Sequence, residues 1–330
     1  MNVSSPTTTS TSFSQDLLSW YDQNGRELLW RGLSDPYAIW LSEIIMQQTQ
    51  VATGTAYWER FMAKFPTVQQ LAQAKREEVL NLWQGLGYYR RAHLLHEGAN
   101  AIAQMGEFPT SAQAWKDIPG VGPYTSAAIA SITLNEVIPA IDGNALRVYA
   151  RVFDIDAPVD RREGSKMIST LAHQHLSAAR PGDQNQAIMD LGAHICKPNP
   201  LCELCPVHIH CLGRQRTTVS DRPIRQSRTK VTDEDWHFAW SVEGGHALVT
   251  SRPKQGIWPG LHCLPQLNQA PEISAKSWQF SHKLTHKNLT IHIHEMVIES
   301  TEAQSIPLSQ IESCNWPQPF RRWLAKNNYI

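Results

Sequence analysis

Residues 118–142 decide how the rest of the chain is read. They run Ile118-Pro119-Gly120-Val121-Gly122-Pro123-Tyr124-Thr125-Ser126-Ala127-Ala128-Ile129, continue apolar, and reach Pro139-Ala140-Ile141-Asp142, with Gly143-Asn144 following. Gly120 and Gly122 permit a tight turn with no side chain in the way. Pro123 suits the first turn of a helix, where its missing N–H costs nothing. Ala127, Ala128, Ile129 and Ile132 then give that helix an apolar face. A glycine turn feeding a helix N-terminus aims several unpaired N–H groups, here around Gly120, Val121 and Gly122, at one point outside the protein, which suits a phosphate. The same pattern also makes an ordinary corner between two helices, so the flanking sequence has to decide.

The chain has 330 residues, enough for two or three domains, and at 42% apolar it can bury a sizeable core. Lys+Arg and Asp+Glu balance at 30 each, so any nucleic-acid surface must come from local clustering. No apolar run approaches membrane-spanning length, and no membrane partner is expected. Residues 1–12 are Ser/Thr-rich without a hydrophobic segment and read as a disordered tail, not a signal peptide. Four of the six cysteines fall between Cys196 and Cys211, a ligand cluster suited to a reducing cytoplasm.

From residue 13 to 212 apolar positions recur at helical spacing, as in Leu71, Val79, Leu80, Leu82 and Trp83. Turn signals such as Asp35-Pro36, Gly85-Leu86-Gly87 and Phe108-Pro109-Thr110 punctuate them. Residues 213–232 read as a basic interdomain linker: Arg214, Arg216, Arg222, Arg225, Arg228 and Lys230 face only Asp221. Such a segment is either merely soluble or a strap along phosphates. From Trp236 onward short β-rich runs appear, with a hairpin turn at Gly244-Gly245 and a short helix at 320–325, the mark of a second, α+β domain.

Four groups of residues could carry chemistry. Asp35 can cap and Pro36 can start a helix in which Glu43 sits among Ile39, Trp40, Ile44 and Met46. A carboxyl placed there is desolvated, its pKa rises, and a carboxylic acid protonated near neutral pH can serve as a general acid. A solvent-facing Glu would need a polar face, and Ser42, Glu43 and the Gln47-Gln48 pair make only a narrow one. Asp142 is either a turn or capping residue, with Asn144 able to cap the helix 145–152, or a second carboxylate that stays ionised. One protonated and one charged carboxyl is the pairing that breaks glycosidic bonds through an oxocarbenium-like state.

The third group is Cys196-x5-Cys202-x2-Cys205-x5-Cys211, which binds a metal. The asymmetric spacing fits a four-iron cluster better than structural zinc, and His208 and His210 are read as surface residues. Finally, Gly85-Leu86-Gly87-Tyr88-Tyr89-Arg90-Arg91 suits either an aromatic core corner or a loop wedged into a base stack beside phosphates.

The glycine hairpin, the following Asp and the cysteine cluster together resemble the helix–hairpin–helix DNA glycosylases of the endonuclease III type. Leu41-Ser42-Glu43-Ile44-Ile45-Met46-Gln47-Gln48-Thr49-Gln50-Val51, Gly85-Leu86-Gly87-Tyr88-Tyr89 and Met189-Asp190-Leu191-Gly192-Ala193 are specifically similar to the adenine DNA glycosylase (MutY) family. The resemblance covers roughly residues 16–212, with a weaker match beyond. It implies an all-α, two-lobed helix–hairpin–helix glycosylase region at 13–212, followed by an α+β Nudix-like domain at 233–330. Within the first region, 31–139 would form a helical barrel lobe, and 13–30 with 140–212 a lobe holding one [4Fe-4S] cluster.

The activity implied is base-excision removal of adenine opposite 8-oxoguanine or guanine in double-stranded DNA. Glu43 resembles the general acid that protonates adenine N7. Asp142 resembles the carboxylate that stabilises or transiently bonds the sugar cation, and Asn144 would help hold it. Tyr124 stands where bifunctional relatives carry a Schiff-base lysine, so base removal without an efficient lyase step is expected. Trp30, Arg31, Met46 and Gln186 match positions around the flipped adenine. Gln48, Thr49, Leu86 and Tyr88 match residues that fill the gap and meet 8-oxoguanine.

In the second domain Gly256-Ile257-Trp258-Pro259-Gly260-Leu261-His262-Cys263-Leu264-Pro265 resembles a Nudix module that lacks the acidic metal box, so recognition is expected and hydrolysis is not. The family's Phe-Ser-His reading loop has two counterparts here, Phe280-Ser281-His282 and Leu284-Thr285-His286, and the second aligns better. The sequence departs from the family in having five residues, not six, between Cys196 and Cys202. A monomer, in the cytoplasm or on a bacterial nucleoid, is the expected state, and a repair partner could dock on the basic linker. The rivals are a pyrimidine-lesion glycosylase/lyase of the same fold, which Tyr124 and the appended domain oppose, and a non-catalytic lesion-binding metal protein.

Overall fold

Asp35 and Pro36 open a helix as their chemistry dictates: the Asp35 carboxylate accepts a hydrogen bond from the Tyr37 amide, and Pro36 occupies the first turn. The computed structural model describes residues 10–226, 231–253, 255–272, 274–284 and 286–330. In chain order its α-helices are α1 (Ser10–Asn24), α2 (Pro36–Met46), α3 (Val51–Lys64), α4 (Val68–Gln73), α5 (Arg76–Trp83), α6 (Arg90–Met105), α7 (Ala112–Trp115), α8 (Pro123–Thr133), α9 (Gly143–Val152), α10 (Arg162–Gln174), α11 (Pro181–His194), α12 (Leu212–Gln215) and α13 (Gln318–Lys326). The described strands begin at Thr232: β1 (Thr232–Trp240), β2 (Val242–Glu243), β3 (His246–Ser251), β4 (His262–Cys263), β5 (Gln266–Leu267), β6 (Lys276–Lys283), β7 (Lys287–Glu295) and β8 (Gln304–Pro307). Among the described residues, no helix is long and apolar enough to cross a membrane.

The chain divides into two units. Residues to 74 and from 94 to 227 form the first, and 75–93 with 228–330 the second. The first is helical. Phe13 and Leu17 of α1 pack with Val148 and Tyr149 of α9, Ile168 of α10, and Ile188 and Leu191 of α11. Each such large apolar side chain contributes about 1.5–3 kcal/mol on full burial. Trp40, Leu41 and Ile45 of α2, Phe61 of α3, Trp115 of α7 and Ile129 of α8 are likewise buried. The glycine hairpin is the turn between α7 and α8. Gly120 adopts φ +83°, and a Cβ there would meet Leu94 Cβ at 2.8 Å. A side chain at this position would therefore be both strained and obstructed.

In the second unit β1 pairs with β7 in parallel, β6 and β7 form an antiparallel hairpin, and the sheet order is β5-β1-β7-β6. Leu289, Ile291 and Ile293 of β7 point into a core shared with Phe238 and Trp240 of β1 and with Phe320, Trp323 and Leu324 of α13. This is the period-two alternation of a sheet with one packed face. A second sheet has order β2-β3-β4, with β8 pairing β3. Gly244 and Gly245 join β2 to β3 with φ of 55° and 79°, the positive values a two-residue hairpin turn requires.

Three boundaries differ from the sequence reading. Residues 75–93, read as part of the barrel lobe, group with the C-terminal unit. There the loop 86–90 lines a cavity with Trp258, Pro259 and the β6–β7 hairpin. The segment read as a basic linker is folded through Gln226. Gly213 lies so close to α9 that a Cβ would stand 2.5 Å from the Arg151 carbonyl. Arg214 pairs with Glu203, and Arg216 and Arg222 both pair with Asp154. The Val159 amide donates to the Ile224 carbonyl at 2.9 Å. Three of the basic side chains thus have carboxylate partners and do not form a free strap; Arg225 is exposed, and Arg228 and Lys230 lie outside the described residues. The segment 1–12 read as a tail likewise carries the start of α1 at Ser10, residues 1–9 lying outside the described part.

Candidate active site and cysteine pocket

Three elements of the first unit converge on Glu43. α2 carries Glu43 itself, the first turn of α8 carries Tyr124, and the N-terminus of α9 carries Asp142. Burial among apolar neighbours pushes the Glu43 carboxyl up to about 7; the Tyr124 hydrogen bond and the Arg31 charge pull it down, and the Asp142 charge pushes it up. Burial, then the negative charges of Glu43 and Asp142, push the Tyr124 phenol well above its ordinary range. The phenol hydroxyl also donates to Met189 Sδ on α11 at 3.1 Å.

Asp142 is the N-cap of α9. Its Oδ1 accepts from the Ala145 amide at 2.7 Å, so Asp142, not Asn144, caps this helix. Burial raises its pKa, while hydrogen bonds from Ala145 and Asn144 and the Arg147 charge oppose the rise. Asn144 steadies the same corner by accepting from Arg147 Nη2 at 2.9 Å. The capping role and a role as a charge facing the site are therefore compatible in one carboxylate.

Sequence reasoning missed Asp190 and Arg26. Asp190 Oδ1 accepts from Arg26 Nε at 2.5 Å and Arg31 Nη2 at 2.8 Å; Oδ2 accepts from the Arg26 amide at 3.0 Å and Arg31 Nη1 at 2.5 Å. Burial alone would raise the Asp190 pKa, but the Arg31 and Arg26 hydrogen bonds and charges outweigh it, and the net shift is downward. The signal was available. Asp190 sits in Ala187-Ile188-Met189-Asp190-Leu191, an ionisable group in an apolar helix, the same cue that singled out Glu43.

The other positions separate by unit. Trp30 is buried, its ring 5.8 Å from that of Trp58. Met46 lies over Gly54, where a Cβ would stand 2.3 Å from its sulfur. Gln186 is buried on α11. Gln48 takes φ +55° in the turn after α2, beside Thr49, whose hydroxyl donates to the Gln47 carbonyl at 3.3 Å. At the hairpin no side chain caps α8, and the space where a Gly122 Cβ would stand is open, beside the buried Val121. In the second unit Leu86, Tyr88, His282, Leu284 and His286 line one cavity of about 370 Å³. Phe280, Ser281 and His282 are strand residues of β6, whereas Leu284 and His286 belong to the β6–β7 turn. Thr285 lies outside the described residues.

Cys196, Cys202, Cys205 and Cys211 are free thiols that line one pocket with Val148, Leu191, Ile195 and Val207. Arg151 closes its rim, donating to the carbonyls of Lys197 at 2.6 Å and Pro198 at 2.9 Å, and Arg147 Nε holds the Cys196 carbonyl at 2.8 Å. These bonds tie down the short 196–202 loop. Among the described residues no three His, Cys, Asp or Glu side chains come together as ligands of one ion. A structural zinc needs four ligands about 2–2.3 Å from one point, whereas an iron–sulfur cluster takes thiolates around its periphery. Four thiols around an apolar pocket fit the latter. His210, read as a surface residue, is buried, with Nε2 2.7 Å from Asp16; His208 Nδ1 is 2.8 Å from the Cys205 carbonyl.

Residues 41–171 match the model of the HhH-GPD superfamily of base excision DNA repair proteins, and 237–326 that of the NUDIX domain. Adenine DNA glycosylase of Mus musculus is 35% identical, the match covering 96% of this chain and 74% of the mouse protein. Adenine DNA glycosylase of Buchnera aphidicola subsp. Schizaphis graminum is 31% identical, covering 86% of this chain and 83% of its own length. Among solved structures, a thermostable thymine-DNA glycosylase superposes on 63% of this chain and 97% of its own, with TM-score 0.58 and 26% identity. By its two matched domains and by relatives of which it covers 74% and 83%, this chain belongs to the adenine DNA glycosylase family of helix–hairpin–helix base-excision repair enzymes.

Proposed function

We propose that this DNA glycosylase removes adenine paired with 8-oxoguanine, or with guanine, from duplex DNA. The observation that carries this reading is a carboxyl raised to about 7, hydrogen-bonded to a tyrosine and accompanied by a second carboxylate. An adenine within the stack is out of reach, so the nucleotide is extruded. Trp30, Met46, Arg31 and Gln186 receive the base. Glu43 passes its proton to N7, the C1′–N9 bond breaks with its electrons going to the purine, and Asp142 faces the resulting sugar cation. Water adds to C1′ and gives up a proton to the Glu43 carboxylate, which restores the acid. Tyr124 has no amine to form a Schiff base, so the sugar–phosphate backbone stays intact until the abasic site is cleaved otherwise.

The four cysteines would hold one [4Fe-4S] cluster whose contribution is structural, cross-linking Cys196, just past the end of α11, to the segment 202–211. Purified protein is expected to be brown, to carry about four iron atoms per chain, and to lose colour and stability together on replacement of Cys202 by Ala. A colourless protein with stoichiometric zinc would overturn this assignment.

The cavity lined by Tyr88, Leu284 and His286 is assigned to 8-oxoguanine, with the hairpin turn and not the β6 strand providing the reader. Single-turnover base release on an adenine:8-oxoguanine duplex, beside adenine:guanine and adenine:thymine duplexes, tests the function. Alkali-dependent cleavage at the mispaired adenine is expected, with none without alkali. His286→Ala should reduce the preference for 8-oxoguanine over guanine by roughly tenfold, the size of one lost polar contact, and His282→Ala should do less. No base release from brown, folded protein would favour the lesion-binding alternative, and the reverse order of the two histidines would move the reader to β6.

A further inference from the structure

The Tyr124 hydroxyl stands between two partners but has one hydrogen. It donates to Met189 Sδ at 3.1 Å, and it is also hydrogen-bonded to the Glu43 carboxyl. A thioether can only accept. Two arrangements are therefore available. In one, the phenol hydrogen points to Glu43 and stabilises its carboxylate. In the other, the hydrogen points to sulfur, and the phenol oxygen turns its lone pairs to Glu43, where they can accept only from a protonated carboxyl. Met189 acts on the second arrangement alone.

We propose that Met189 is a positioning residue for the general acid. By accepting the Tyr124 hydrogen, its sulfur leaves the phenol oxygen free to accept a hydrogen bond from the protonated Glu43 carboxyl, and so keeps the proton on Glu43. The inference rests on the reading of Glu43 as the general acid.

The side chain is well placed for this. Met189 is half-buried on α11, between the buried Ile188 and Asp190. The other charged groups around the pair come from the remaining elements. Asp142 at the head of α9 raises both acids, Arg31 from the loop before α2 lowers Glu43, and Arg26 lowers Tyr124. Asp190, next to Met189 in sequence, is engaged by those two arginines. None of these groups changes when the thioether is removed, so a shift in the Glu43 titration on its removal reports the sulfur.

The test is the pH profile of single-turnover adenine release by the full chain. Met189→Leu keeps an apolar side chain of similar volume and removes the acceptor. Loss of one weak hydrogen bond corresponds to about half to one pH unit. The alkaline limb of the profile, near pH 7 in the parent, should move down by that amount. Release at pH 8 should fall about 3- to 10-fold, and release near pH 5.5 should be unchanged. Tyr124→Phe removes the hydroxyl, and in that background Met189→Leu should cause no further shift. Met189→Gln restores an acceptor and should recover part of the shift; it also serves if the Leu variant fails to fold. A Met189→Leu profile that overlays the parent, a uniform loss at every pH, or an equal shift in the Tyr124→Phe background would each overturn the proposal. The underlying reading fails separately: full activity in Glu43→Gln sinks the general acid itself, whereas an inactive Glu43→Gln with an unmoved Met189→Leu midpoint sinks only the role of Met189.

Discussion

Glu43→Gln should abolish base release, with single-turnover excision of adenine opposite 8-oxoguanine falling by about a thousandfold or more, while affinity for the duplex stays within a few-fold of the parent. Gln has nearly the shape of Glu and can still hydrogen-bond Tyr124, but it has no proton of suitable acidity to give. A positioned general acid contributes about 10²–10⁴ in rate, and none of that survives the change. The pH dependence follows the same logic. The Glu43 carboxyl is raised to about 7, so its protonated, active form prevails below that value and is lost as pH rises through it. Excision by the parent protein should decline on the alkaline side of about pH 7, and residual excision by the variant should lack that limb. Turnover at the parental rate would remove Glu43 from the mechanism.

The second large effect is on stability. Asp190 is fully buried at the side chain and holds Arg26 and Arg31, whose side chains are 26% and 12% exposed. Asp190→Ala leaves both guanidiniums facing one another without their counter-charge. Breaking a buried pair in this way costs about 3–5 kcal/mol, to be read from urea unfolding of the first unit. The folded pKa of Asp190 lies below its ordinary value of 3.8. Its contribution is therefore fully present above the ordinary carboxylate range and is lost as pH falls through the depressed value. Parent and variant should converge in stability as the solution becomes strongly acid, and a constant gap would show that lost packing, not charge, is responsible. Adenine release should fall as well, because Arg31 also faces Glu43.

What could be read from the sequence was what neighbouring residues decide among themselves. Asp35-Pro36 starts α2, Gly120-Val121-Gly122-Pro123 turns into α8, and Gly244-Gly245 joins two strands, because capping, φ preference and missing N–H groups act over a few residues. The desolvation of Glu43 followed from the apolar composition of its own helix. The arrangements that escaped the reading join distant positions. Arg31 and Asp190 lie 159 residues apart in sequence, and no local pattern links them. The 213–226 segment looked unpaired because its carboxylate partners, Asp154 and Glu203, lie upstream on other elements. The sequence allows either Asp142 or Asn144 as the cap of α9, and spatial reach decides it: Asp142 accepts from the Ala145 amide and the helix begins at Gly143.

The assignment of 75–93 to the C-terminal unit has a consequence in time as well as in space. This segment is translated long before its partners: at about 5–20 residues per second, the strands that complete its unit follow it from the ribosome by roughly ten to forty seconds. During that interval the loop 86–90 lacks the cavity wall it finally shares with Trp258 and the β6–β7 hairpin. Ending the polypeptide near residue 227 would make that temporary condition permanent. The C-terminal unit is thus no detachable cassette, since part of it is already woven into the chain well before its own coding region begins.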